Sequence, residues 1–211
     1  MKKLTSMMII LLLVGCSKPT GEQALPLKSD EPIIVEPIEQ VGYIEEFDEF
    51  DFTGEREATI DDRHFLIEDN PDNVVETLVY EYYYYNFNTS WDKLKEISAK
   101  ENEALQISAT NSEELFNEGC YLREIVLHSF DTLSFEDLKD VDLMFFSHFE
   151  EAVEKYNLNM YSVVEVEYSM AHSIASLDRR PQFGDGKYER YYLCGKANDE
   201  DSWQIFEIFL Y

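Results

Sequence analysis

The chain has 211 residues, 45% of them hydrophobic and 14% aromatic, enough for one packed domain with a short appendage. Its 44 acidic side chains against 17 basic ones give a formal net charge of −27. That sign excludes nucleic acid, whose phosphates need a basic surface, and electrostatic docking onto anionic lipid headgroups.

Met1-Lys2-Lys3 is a short basic start, followed by a mostly apolar run from Leu4 to Val14 and then Gly15-Cys16. A charged segment, a short apolar core and small residues at its end read as a secretory signal. The run is too short to span a bilayer, which needs about 20 residues. Leu13-Val14-Gly15-Cys16 resembles the bacterial lipobox. The resemblance implies cleavage after residue 15 and a thioether-linked diacylglycerol on Cys16, whose two acyl chains hold where one is marginal. It implies a partner, the membrane, and a location on the extracytoplasmic face of the cell membrane in a Gram-positive organism, or at the outer membrane in a Gram-negative one. Cys120 and Cys194 are left. That setting permits a disulfide between them, and two buried free thiols are the expected state.

Ser17 to Asp62 holds 14 acids, three bases and four prolines without sustained periodicity. Residues 16–62 therefore read as a lipidated cysteine and a flexible, self-repelling acidic tether. Within it, Tyr43, Phe47 and Phe50 fall at helical spacing, as a partner motif, a segment folding back onto its own domain, or scattered linker aromatics.

The globular part is expected over 63–211. Asn70-Pro71 opens a helix with Val75, Leu78, Val79, Tyr82 and Tyr85 on one stripe, ending near Asn86–Asn88. Thr89-Ser90-Trp91-Asp92 has capping-box spacing and starts a second helix with Trp91, Leu94 and Ile97 inward. Residues 101–116 are helical in part. Cys120 to Phe130 alternates as a strand, and Asp140 to Tyr156 forms a helix with Leu143, Phe146, Phe149, Val153 and Tyr156 inward. Three β-rich runs close the chain: Tyr161–His172, Lys187–Lys196 and Ser202–Tyr211, the last two joined by the polar turn Ala197–Asp201.

This order is α+β. It resembles the NTF2-like (cystatin-like α+β cone) superfamily, in the aromatic helix followed by Ser90-Trp91-Asp92-Lys93-Leu94 and in the closing strand pair Tyr188–Lys196 and Trp203–Phe209. The narrower likeness is to uncharacterised Gram-positive surface lipoproteins. The resemblance implies N-terminal helices packed on a curved, mainly antiparallel sheet, with function inside the cone.

No phosphate-cradling loop, nucleophile elbow or paired-cysteine metal motif is present. No catalytic residue, cofactor or metal is therefore assigned. His148 and Glu151, three apart on a helix, read as a solvated face rather than a metal pair; Tyr82 to Tyr85 as helix core and rim rather than a sugar platform; Asp199 to Asp201 as a solvated turn rather than a calcium site. Strand parity groups Glu124 and His128 with Cys120, Leu122 and Val126, and Glu207 with Trp203, Ile205, Phe209 and Tyr211. Glu124, His128 and Glu207 are the candidate ligand-binding residues, with a structural hydrogen bond to a tyrosine or to Arg190 the simpler role for Glu207.

The expected function is a non-catalytic module binding a small ligand or a protein. The alternatives are a small-molecule enzyme of isomerase or dehydratase type and an accessory subunit of an envelope assembly. One feature of packing stands out. The last strand is apolar on both faces, since Phe206, Ile208 and Leu210 oppose Trp203, Ile205 and Phe209. Something must cover its second face. Residues Tyr43–Ile67 are the favoured cover, and a homodimer is the alternative.

Overall fold

A computed structural model describes residues 41–48, 50–141 and 143–210. The signal segment, Cys16 and Tyr211 lie outside the described residues. The fold is α+β, with a six-stranded sheet in the order β1 (Glu57–Ile60), β2 (Arg63–Ile67), β3 (Leu122–Thr132), β4 (Met160–His172), β5 (Gly186–Lys196) and β6 (Gln204–Phe209). Every pairing is antiparallel except β2 with β3. That parallel step is made by three helices inserted between the two strands: α1 (Val74–Phe87), α2 (Trp91–Ile97) and α3 (Glu103–Asn117).

Helix α1 starts three residues later than its Asn-Pro signal suggests. Asn73 is the N-cap and accepts from the backbone N–H groups of Val75 and Glu76, both at 3.0 Å. Glu76 is buried, and its carboxylate accepts from the Asp72 N–H at 2.7 Å and from Thr132 N–H and Oγ1 at 3.0 and 2.7 Å. One buried acid thereby closes the helix start and ties it to the end of β3. The buried stripe turns accordingly, taking in Tyr80, Tyr83 and Phe87, while Tyr82 and Tyr85 are half-buried. Residues 103–117 form one continuous helix, and the helix expected over 140–156 is α5 (Leu143–Tyr156), with a further short helix, α4 (Phe135–Val141), before it. A short α6 (Ile174–Asp178) follows β4.

Alternate residues of the central strands enter two separate cores. Val164, Val166, Tyr192 and Cys194 point to the first, with α1. Val163, Tyr191 and Leu193 point to the second, with α4 and α5. Helices therefore lie on both faces of the sheet. The second face of β6 is covered by α5, where Phe145 packs against Phe209 at 5.1 Å and Tyr156 against Phe206 at 5.4 Å.

The segment assigned to the tether belongs in part to the fold. Residues 57–60 form β1, and Tyr43 is 6% exposed. It packs among Phe135, Phe149 and Tyr161, and its hydroxyl donates to the Leu133 carbonyl at 2.8 Å. Gly42 and Ile44 pair with Tyr161 of β4. A side chain at Gly42, where φ is +88°, would sit 2.4 Å from the Asn159 carbonyl oxygen, so only glycine allows this approach. Tyr43, Phe47 and Phe50 are not on a helical turn. Tyr43 joins the second core, whereas Phe47 meets Trp203 and Phe52 meets Tyr80 at the first. The expected self-cover is thus divided between the two faces, and the helices do most of the covering.

Candidate functional site

The first core does not close completely. A cavity of about 560 Å³ lies between α1–α3 and the sheet. Leu122, Ile125 and Met170 of β3 and β4 contribute its apolar surface, and Phe87, Trp91, Phe116 and Phe183 contribute aromatic walls. Ser108 and Ser112 enter from α3, and the chain from Arg179 to Phe183 forms a further side. Four cationic or ionisable nitrogen groups reach it: Arg63, His172, Arg179 and Arg190.

Each is held differently. Arg63, the first residue of β2, is 6% exposed and donates to the Phe87 carbonyl at the end of α1, where a cation offsets the helix dipole. Its guanidinium lies over Phe116 at 4.8 Å and Phe87 at 5.5 Å. Arg179 pairs with Glu118. His172 holds Asp185, which accepts the His172 backbone N–H at 2.8 Å and lies 3.0 Å from Nδ1; these hydrogen bonds, the backbone one foremost, hold the Asp185 carboxyl below its ordinary pKa. Arg190 stacks over Tyr168 at 5.1 Å and Phe183 at 5.4 Å.

Around Arg190 the first core is unusually hydroxylated. Tyr192 donates to Tyr83 Oη at 2.7 Å, and burial pushes both phenols well above their ordinary pKa. The Tyr168 hydroxyl is buried without a hydrogen-bond partner.

None of the three residues singled out by strand parity lines this cavity. Glu124 points to the opposite side from Ile125, is half-exposed and lies 3.9 Å from His64 Nδ1. His128 sits at a bulge in β3, with Nδ1 2.8 Å from Glu68 and Nε2 2.7 Å from Ser169 Oγ. Glu207 accepts from Tyr156 Oη at 3.1 Å and Asn102 Nδ2 at 3.2 Å, on the second face. The face-sharing sets fail for one reason. Bulges interrupt β3 at two places and displace Phe206 in β6, so alternation resets and Trp203 and Ile205 part company with Glu207 and Phe209.

Cys120 and Cys194 are free and buried, and burial pushes the Cys194 thiol up. Among the described residues no group of three His, Cys, Asp or Glu side chains could hold a metal. Asp201 accepts from Asn198 in the final turn. The residues missed by sequence are Arg63, His172 and Arg190. For Arg190 a signal exists, since it alternates with Tyr188 and Tyr192 on the aromatic face of β5. Arg63 and His172 stand at element ends, where periodicity carries nothing.

No protein-family model, no curated protein and no solved structure matches this chain.

Proposed function

We propose that this chain is a lipid-anchored extracytoplasmic protein whose globular domain binds a small organic ligand in the first-face cavity without transforming it. The observation that carries the binding reading is the cavity of about 560 Å³ with aromatic walls and a few convergent polar groups. Small-molecule sites are built that way, apolar for affinity and sparsely polar for orientation. Three helices over a mainly antiparallel sheet agree with the NTF2-like resemblance, and the second helical layer is an addition to a cone packed on one side. The anchor rests on Leu13-Val14-Gly15-Cys16. Diacylation there holds the domain on the outer face of a Gram-positive cell membrane. Cells fed a clickable fatty acid should label the wild-type chain and not Cys16→Ala. Label retained by that variant, or absent from wild type, overturns the anchor.

A specific observation favours a second reading, an isomerase or dehydratase. His172 lines the cavity and is oriented through Nδ1 by Asp185, the arrangement of a general base. Recovery of a bound ligand chemically unchanged after prolonged incubation decides for binding; conversion lost in His172→Gln decides for catalysis.

A further inference from the structure

The four cationic or ionisable nitrogen groups at the cavity differ in one respect. Arg63 donates to the end of α1, Arg179 pairs with Glu118, and His172 is bonded to Asp185. Among the described residues Arg190 has no hydrogen bond and no ion pair; what faces it is aromatic and phenolic. This is an odd vacancy in a chain with 44 carboxylates. A guanidinium is always charged and carries five donors in a planar fork shaped for a carboxylate or phosphate. Stacking on two rings fixes that plane but accepts none of its hydrogen bonds.

The neighbouring acids have been kept away from it. Glu189 and Tyr191 flank Arg190 on β5 and point to the other face, where Glu189 bonds the Tyr191 hydroxyl. Glu165 and Glu167 flank Val166, the partner of Arg190 on β4, and lie on that same opposite face. Strand alternation thus puts the carboxylates on one side of the sheet and the arginine on the other, against the cavity. The Tyr168 ring beneath it adds a second group short of an acceptor.

We infer that the ligand is an anion, an apolar molecule carrying a carboxylate or a similarly planar acidic head that Arg190 binds while its body lies against Ile125, Met170 and Phe116. This inference rests on the binding reading above and names its ligand class. The apolar body has two sources, a membrane-derived fatty acid or a soluble aromatic acid, and both share the head.

The test compares dodecanoate and 1-naphthoate, each against its neutral primary amide, by calorimetric titration of the full chain. A charge-assisted contact of this kind is expected to make at least one acid bind about 10- to 100-fold tighter than its amide. Arg190→Gln should bring that ratio to within about twofold, chiefly by weakening the acid; Arg190→Lys should restore part of it. Ser112→Trp, which fills the cavity, should abolish binding of acid and amide alike. The acid that binds identifies the source, and either one supports the inference. Equal affinity of acid and amide for the wild type, or a preference surviving in Arg190→Gln, overturns the anion claim and leaves the cavity reading standing. Binding that persists in Ser112→Trp, or no binding by any of the four compounds, overturns the cavity reading and this inference with it. Should Arg190→Gln fail to fold, the wild-type ratio and Arg190→Lys decide.

Discussion

The two faces of the sheet solve the same burial problem in opposite ways. On the second face α4 and α5 lay Phe135, Phe145 and Phe149 against Tyr43, Tyr161 and Tyr191, ring on ring, with Phe145 wholly buried. On the first face α1 packs its Tyr83 as tightly against Tyr168 and Tyr192, and then α2 and α3 stand off and leave a cavity. Charge divides the same way. Carboxylates Asp131, Glu165, Glu167 and Glu189 collect beside the second core, and Arg63 and Arg190 reach the first. The difference teaches that one face is packed throughout and the other is left partly unfilled, as the proposed ligand binding requires.

The contrast can be broken by truncation. Phe145→Ala should cost about 3–5 kcal/mol, because a fully buried ring leaves a cavity its neighbours cannot fill. Leu122→Ala, on a wall that already faces open space, should cost about 1–2 kcal/mol. Urea denaturation of both variants measures the gap; equal losses would mean that the two faces are packed alike.

Protonation sharpens it further. Burial, then the charges of Glu189 and Asp131, push the Glu165 carboxyl up to about 7. A carboxyl raised on folding favours the folded state while it is protonated. Its contribution is therefore full below about 4.5, the ordinary value, and is lost as pH rises toward 7. The wild type should lose on the order of 2 kcal/mol relative to Glu165→Gln across that window, reduced from the bare shift by solvent screening. A difference in stability between the two chains that stays constant from pH 4.5 to 8 would refute this.

The smallest effect concerns reactivity. Cys194 is fully buried with its thiolate disfavoured. Iodoacetamide should leave it unmodified in the folded chain and alkylate it in denaturant, as peptide mass mapping would show. Prompt labelling of the folded chain would place an opening in the first core beside β5.

Much of this architecture is written locally. The strands β4 to β6 and the turn between the last two follow from alternation and polar turn residues, and the amphipathic stripes of α1 and α5 mark them as packed helices. What alternation cannot supply is the face on which a helix packs, so α5 reads as a companion of α1 when it is its opposite. Bulges are equally silent, because they are set by pairing with a neighbouring strand. Glu124, His128 and Glu207 were therefore assigned to an interior they do not share. The hairpin of β1 and β2 turns at Asp61-Asp62, with Asp61 at a φ of +54°, and its first strand reads from sequence as part of the tether. The surrounding acidity hid it. The cavity was not legible at all, since it arises from residues of eight elements and two connections meeting only in three dimensions.

The clasp between Gly42–Ile44 and Tyr161 has a mechanical meaning. The Ile44 N–H donates to the Tyr161 carbonyl at 2.8 Å, and the Tyr161 N–H donates to the Gly42 carbonyl at 2.9 Å. A pull delivered from the N-terminal side reaches the described residues first at the Val41 carbonyl, which accepts from the Tyr161 hydroxyl at 3.0 Å, and then at these two bonds and the Tyr43 ring. Force would peel them one after another, like a zip fastener, before loading the long ladders of β3, β4 and β5. The clasp is thus expected to yield before those ladders do.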